Sequence, residues 1–179
     1  MIVRSFVVGP LQENCSLVID ESTNEAVLVD PGDEADRLLA AVGEAGVTLT
    51  AIWLTHAHFD HLGAVAAIKR ATGVPIYVHP LDNTLYNLAE KSGASYGLRV
   101  ENPPPADVAL KDGDTLAVGT LTFAVMHAPG HSPGHVVIYG NGIVLAGDCL
   151  FAGSVGRTDL PFSNPRHLSE SLVRIAALD

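Results

Sequence analysis

Three histidines and one aspartate fall within six consecutive positions, His56-Ala57-His58-Phe59-Asp60-His61, directly after the apolar run from Leu49 to Leu54. Imidazole nitrogen and carboxylate oxygen are the ligands that a borderline divalent ion such as Zn²⁺ takes. Thr50 to Leu54 reads as a short buried strand, and Leu62 to Arg70 carries apolar residues at helical spacing, so the polar cluster falls on the turn between strand and helix. A strand end leads the chain out of the core, and side chains on such a turn can converge on one point held by rigid elements. His56 and His58, two apart in an extended segment, point the same way. Asp60 and His61 are adjacent, diverge, and suit a second ion beside the first. Chance clustering of surface histidines is a poor account, because three of the eight His lie in this stretch and two more, His131 and His135, follow Pro129-Gly130.

Composition narrows the setting. With 179 residues, 47% of them hydrophobic, the chain has the length and the material for one domain with a large core. Its 20 acidic against 10 basic residues give a formal charge of -10, which argues against nucleic acid as a partner, because such a surface drives no counterion release. Cys15 and Cys149 are the only cysteines and are far apart, so no disulfide framework is indicated. The first ten residues lack the layout of a signal peptide, and no run of about 18 apolar residues occurs. The expectation is a cytoplasmic protein with no membrane partner.

Along the chain, Ile2 to Val8, Cys15 to Asp20 and Glu25 to Asp30 read as antiparallel strands, the first two separated by Gly9-Pro10 and Glu13-Asn14. Asp30-Pro31-Gly32 closes the third at a tight turn. Leu38, Leu39 and Val42 mark a helix from Glu34 to Glu44 that Gly46 ends. Pro75 to Val78 is a brief strand, and His79-Pro80 opens a helix from about Leu81 to Glu90, with His79 read as structural. Ser92 to Pro105 has no periodicity and reads as a loop, which Tyr86 and Tyr96 could join in lining a site. Asp112-Gly113-Asp114 is expected to form a hairpin turn, followed by hairpins around Gly119-Thr120 and Gly140-Asn141-Gly142. A further helix starts near Arg166.

The metal cluster resembles the HxHxDH signature of the metallo-β-lactamase superfamily. Ala128-Pro129-Gly130-His131-Ser132-Pro133-Gly134-His135, Leu145-Ala146-Gly147-Asp148 and Gly156-Arg157-Thr158-Asp159-Leu160-Pro161 follow in an order similar to that of the short glyoxalase II-type hydrolases, also called hydroxyacylglutathione hydrolases. The resemblance runs from about Gly9 to the last residue. It implies an α/β (α+β) fold, the four-layer αββα sandwich, with which the strand and helix pattern is consistent. It also implies that His56, His58 and His131 hold one ion, that Asp60 and His61 serve a second, and that Asp148 lies between the two. Three imidazoles leave a zinc ion one open position for water, the arrangement of a catalytic site. Asp30 reads either as a turn-former or as a carboxylate supporting these ligands, and His127 and His135 as supporting or structural residues.

The implied activity is hydrolysis of a thioester such as S-lactoylglutathione by metal-activated water, with Asp60 accepting the proton. The implied cofactor is zinc, one or two ions, with iron or manganese as alternatives, and the implied partner is a small acyl-thiol. A related reading is a single-iron persulfide dioxygenase held by His56, His131 and Asp148; a third is a catalytically inactive metal-binding domain. The family supplies one more histidine from a strand beyond the helix near Arg166, and the chain stops at Asp179, so the expectation is a fold short at its C-terminal end, with one metal site complete and a homo-oligomer covering the exposed edge. His167 is not expected to replace that ligand, and Arg157 is expected to pair with Asp159.

Overall fold

The computed structural model describes residues 1–178. Its first sheet runs in the order β1 (Ile2–Val8), β2 (Glu13–Asp20), β3 (Glu25–Val29), β4 (Thr48–Trp53), β5 (Ile76–Val78) and β6 (Val108–Ala109). The first three strands are an antiparallel meander, and β3 through β6 are parallel. The second sheet is wholly antiparallel, in the order β10 (Ile143–Leu145), β9 (Val136–Gly140), β8 (Leu121–His127) and β7 (Thr115–Val118). A small separate hairpin joins β11 (Leu150–Phe151) to β12 (Ser154–Val155).

Period-two alternation sorts the strand residues between layers. In β3, Ala26 and Leu28 face one way, into a cluster with Leu38 and Val42 of α1 (Ala35–Ala45) and with Val65 and Ile68 of α3 (Val65–Thr72). Val27 and Val29 face the other way and meet Leu116, Phe123, Val125 and Ile138 of the second sheet. Trp53 and Phe123 cross edge to face in this inter-sheet layer, with centroids 5.7 Å apart. The outer face of the second sheet presents Met126 and Val137 to Leu168 and Ile175 of α6 (Pro165–Ile175). The result is the expected αββα sandwich. Both faces of the central strands are covered, which is why they read as unbroken apolar runs. No helix among the described residues is long and apolar enough to cross a membrane.

Several boundaries differ from expectation. The helix read from Leu62 to Arg70 is two pieces, α2 (Phe59–Leu62) and α3, separated at Gly63-Ala64. A Cβ on Gly63 would collide with the Gly32 carbonyl, so the chain bends where it must pass close to the end of β3. The helix expected from Leu81 to Glu90 is a 3₁₀ turn at Pro80–Asp82 followed by α4 (Asn83–Asn87) and α5 (Ala89–Ser95), so the irregular segment begins at Tyr96 and not at Ser92. Asp112-Gly113-Asp114 does not close a hairpin. It carries the chain from β6 in the first sheet to β7 in the second. Glu13 and Asn14, read as separators, begin β2.

Candidate metal centre

The cluster forms where the parallel strands β3 and β4 end side by side. Just beyond them, Asp30 takes a left-handed φ of 50°, which aspartate tolerates, and its backbone N–H donates to the Trp53 carbonyl at 3.0 Å. The Asp30 carboxylate then accepts from the Thr55 N–H at 2.7 Å and the Thr55 hydroxyl at 2.5 Å, fixing the start of the histidine loop. A Cβ on Gly32 would collide with the Asp60 carbonyl, so that glycine lets the two strand-end loops touch.

A third segment is tied in by Asp82. Its buried carboxylate accepts from the Ala57 N–H at 3.0 Å, the Ser132 hydroxyl at 2.7 Å and the Gly134 N–H at 2.5 Å. One side chain thus clamps the loop of His56 and His58 to the loop of His131. Burial pushes its pKa up even against these three donors. The Val136 N–H also donates to the Thr55 carbonyl at 2.7 Å, joining the second sheet to the first at the site.

Hydrogen bonding sets which ring nitrogens are free. The Thr55 hydroxyl has its proton on Asp30, so at 3.1 Å it accepts from His56 Nδ1, leaving the buried Nε2 of His56 as a lone pair with no partner. His131 Nδ1 donates to the Arg157 carbonyl at 2.9 Å, so its Nε2 is also a lone pair, and it lies 2.9 Å from His58 Nδ1. Ligand nitrogens of His56, His58 and His131 all lie within 4.8 Å of one another. Tetrahedral zinc with bonds of about 2.0–2.1 Å places its nitrogen ligands roughly 3.3 Å apart, so this triad fits a cation with small adjustments. Burial, followed by the neighbouring imidazoles, holds His56 well below its ordinary pKa. Burial and His131 lower His58 to about 3. Both are therefore neutral, the form that binds metal.

His61 faces a different environment. Its Nε2 lies 3.2 Å from Asp148 Oδ1, and its Nδ1 lies 3.2 Å from Asp30 Oδ2 and 3.4 Å from Glu13 Oε1. Burial opposes its charge, but the Asp148 and Asp30 carboxylates beside its two ring nitrogens and the charge of Glu13 outweigh that and raise its pKa well above the ordinary value. Glu13 is buried with neither carboxylate oxygen hydrogen-bonded. Burial raises its pKa, His61 pulls it down, and Asp30, Asp60 and Asp148 push it up further. So many carboxylates around one imidazole demand positive charge. The other oxygen of Asp148 lies 3.5 Å from His131 Nε2, so its carboxylate spans from the first triad to His61.

The structure therefore brings together His56, His58, His131, His61 and Asp148. Asp60 belongs to neither compact group of ligand atoms among the described residues; it is half-buried and lines the clefts on either side. The second group is Asp30, His56 and His61. His135 stacks on His56 with centroids 4.9 Å apart and touches Cys149 Sγ through Nδ1 at 3.3 Å, so it backs the first triad. His127 stacks on His79 at 4.4 Å, away from the cluster, and His167 is exposed on the first turn of α6. Arg157 pairs with Asp159 through two contacts of 2.7 Å, as expected. Glu13 and Asp82 were missed by the sequence reading. Each is a single acidic residue in an unremarkable local pattern, and only the folded chain shows its burial.

Comparison with known proteins agrees with this fold. The family model of the metallo-beta-lactamase superfamily matches residues 8–179. The Haemophilus influenzae hydroxyacylglutathione hydrolase GloC is 34% identical over 181 residues, covering 96% of this chain and 82% of the relative. The crystal structure of TTHA1623 in a di-iron-bound form superposes with a TM-score of 0.91 at 46% identity, covering 98% of this chain and 87% of that one. ETHE1 from Myxococcus xanthus superposes with a TM-score of 0.81 at 31% identity, over 100% of this chain and 72% of that one. The αββα layers are shared with these structures, and the chain belongs to the metallo-beta-lactamase superfamily.

Proposed function

We propose that this chain is a metal-dependent hydrolase of thioesters, of the kind exemplified by S-lactoylglutathione. The observation that carries this reading is the triad of His56 Nε2, His58 Nδ1 and His131 Nε2, three converging nitrogens of which the first has no hydrogen-bond partner and the other two lie 2.9 Å apart, with Asp148 Oδ2 3.5 Å from the last. These would hold one ion, and His61 and Asp148 with Asp60 beside them would serve a second. Zinc suits imidazole and carboxylate donors, and so does iron, which TTHA1623 carries. When bound, such an ion lowers the pKa of water to near 7 and polarises a carbonyl.

The chain's own residues supply the rest. The Asp30–Thr55 pair fixes the tautomer of His56, and the Arg157 carbonyl fixes that of His131, so both rings are aimed before substrate arrives. Asp60 lines the cleft beside His58 and Asp148, where its carboxylate can orient the attacking water and take its proton. A thiolate leaves readily, and no side chain needs to act as its general acid.

A second reading is a persulfide dioxygenase with one iron on His56, His131 and Asp148. It is favoured by the approach of Asp148 Oδ2 to His131 Nε2. Metal analysis alongside thiol release from S-lactoylglutathione separates the two. Zinc with thiol release supports the hydrolase, and iron with sulfite formation from glutathione persulfide supports the dioxygenase. Full activity in both His58→Ala and Asp148→Ala would overturn the site assignment.

A further inference from the structure

Beside the imidazole triad opens a cleft of about 500 Å³, large enough for a small organic ligand, with His58, His131 and Asp148 in its lining. Its lining carries more apolar surface than a small polar acyl group such as lactoyl would cover. Phe59 and Tyr96, with ring centroids 5.1 Å apart, line it together with Leu160, Pro161 and Phe162. Helix α5 turns one side toward the opening. Leu88, at its N-cap, and Lys91, Ser92 and Ser95 stand three and four positions apart, as residues on a single helix face do. Leu88, Tyr96 and Phe162 are 41%, 55% and 58% exposed, so three large apolar side chains stand in water around a cleft that already contains the reactive cluster.

Charge adds a second constraint. Two cationic side chains line the cleft, and they are not equivalent. Arg157 is held in a two-point ion pair by Asp159. Lys91 has no ion-pair partner among the described residues, and it is a cation available to a ligand in a chain whose net charge is -10.

We propose that this cleft binds thioesters whose acyl group is apolar and whose thiol portion carries a carboxylate, the acyl group lying against Leu88, Tyr96 and Phe162 and the carboxylate at Lys91. The inference rests on the thioesterase reading for its reaction, but the cleft's selectivity can be measured without turnover. The scissile carbonyl would lie toward His58, His131 and Asp148, so the apolar wall would select the acyl chain and Lys91 would hold the thiol.

The test is calorimetric binding of S-hexylglutathione and S-methylglutathione, thioethers that cannot be hydrolysed, to the metal-loaded protein. The five additional methylenes are expected to tighten binding at least about tenfold, a conservative share of their transfer free energy. Leu88→Asp should reduce that preference to within about threefold. Lys91→Glu should weaken S-hexylglutathione roughly fivefold, the scale of an exposed ion pair, and leave the hexyl thioether of uncharged N-acetylcysteamine unaffected. Equal binding of the hexyl and methyl compounds would overturn the proposal, as would a chain-length preference that survives Leu88→Asp, or an equal effect of Lys91→Glu on the charged and uncharged ligands. Tighter binding of the hexyl compound without turnover of any thioester would sustain the cleft and count against the thioesterase reading alone.

Discussion

Asp82 is the residue through which the fold assembles the metal cluster, and its replacement has a calculable effect. Asp82→Ala removes the acceptor of the Ala57 N–H, the Ser132 hydroxyl and the Gly134 N–H. The hydroxyl can rotate to another acceptor, but the two backbone donors are buried and are left unpaired, at about 1–3 kcal/mol each. Burial already raises the pKa of Asp82 against its three donors, so removing the carboxylate also relieves some desolvation. The net loss is therefore about 3 kcal/mol, against a typical total stability of about 5–15 kcal/mol. For a chain of this size that is a fall in Tm of roughly 6–12 °C. Asp82→Asn keeps one acceptor oxygen, and whichever way its amide is turned one backbone N–H loses its partner, so its loss should be intermediate. Because the same carboxylate joins the loop of His56 and His58 to that of His131, metal affinity should fall about 10–100-fold in Asp82→Ala. Urea unfolding of the metal-free proteins, followed by circular dichroism, reads the first effect as a lower midpoint at constant slope. A loss below about 1 kcal/mol with unchanged metal affinity would refute the clamp.

Other consequences are accessible to similar measurements. Gly32→Ala would drive a Cβ into the Asp60 carbonyl and to 2.7 Å from Glu13 Oε2, and should cost about 1–3 kcal/mol by overpacking; an unchanged unfolding midpoint would contradict the close approach of the two loops. Burial and then the stacked His127 lower His79 from 6.5 to about 4, so between these values the unfolded chain binds a proton that the folded chain refuses, and stability falls as pH drops through that window. His79→Asn keeps a cap for the Leu81 N–H and removes the titration, so its unfolding midpoint should decline less than the parent's between pH 6.5 and 4, whereas parallel declines would assign the acid sensitivity elsewhere. Chelation should lower Tm, since metal at a thousand times its Kd contributes about 4 kcal/mol. Coincident melts with and without chelator would mean that the folded chain does not bind metal preferentially.

The sequence disclosed what depends on residue type at short range. Imidazole is a common metal ligand and an uncommon residue, so His56, His58 and His61 stood out by density, and the buried strands stood out because both of their faces are covered. The resemblance added His131, Asp148 and the layer order. What stayed hidden depends on how distant segments close. Glu13 looked like a turn residue, yet it opens β2 and lies against His61. Asp82 looked like part of an ordinary helix, and its three donors come from segments 25, 50 and 52 residues away. The break at Gly63 is set by the carbonyl of Gly32 across the site, a contact that no helical pattern records. Asp60, expected among the ligands, lines the cleft together with His58 and Asp148, while Asp30, read as a turn-former or a support, meets His56 and His61.

Cobalt(II) titration of the chelated protein tests the central claim most directly, because the visible absorbance of Co²⁺ reports the ligand set around it. The account predicts a saturable spectrum of low-coordinate, nitrogen-rich Co²⁺ for the first ion bound per chain, displaced by zinc and abolished together in His56→Ala, His58→Ala and His131→Ala. Unchanged spectra and stoichiometry in folded samples of these three variants would contradict it.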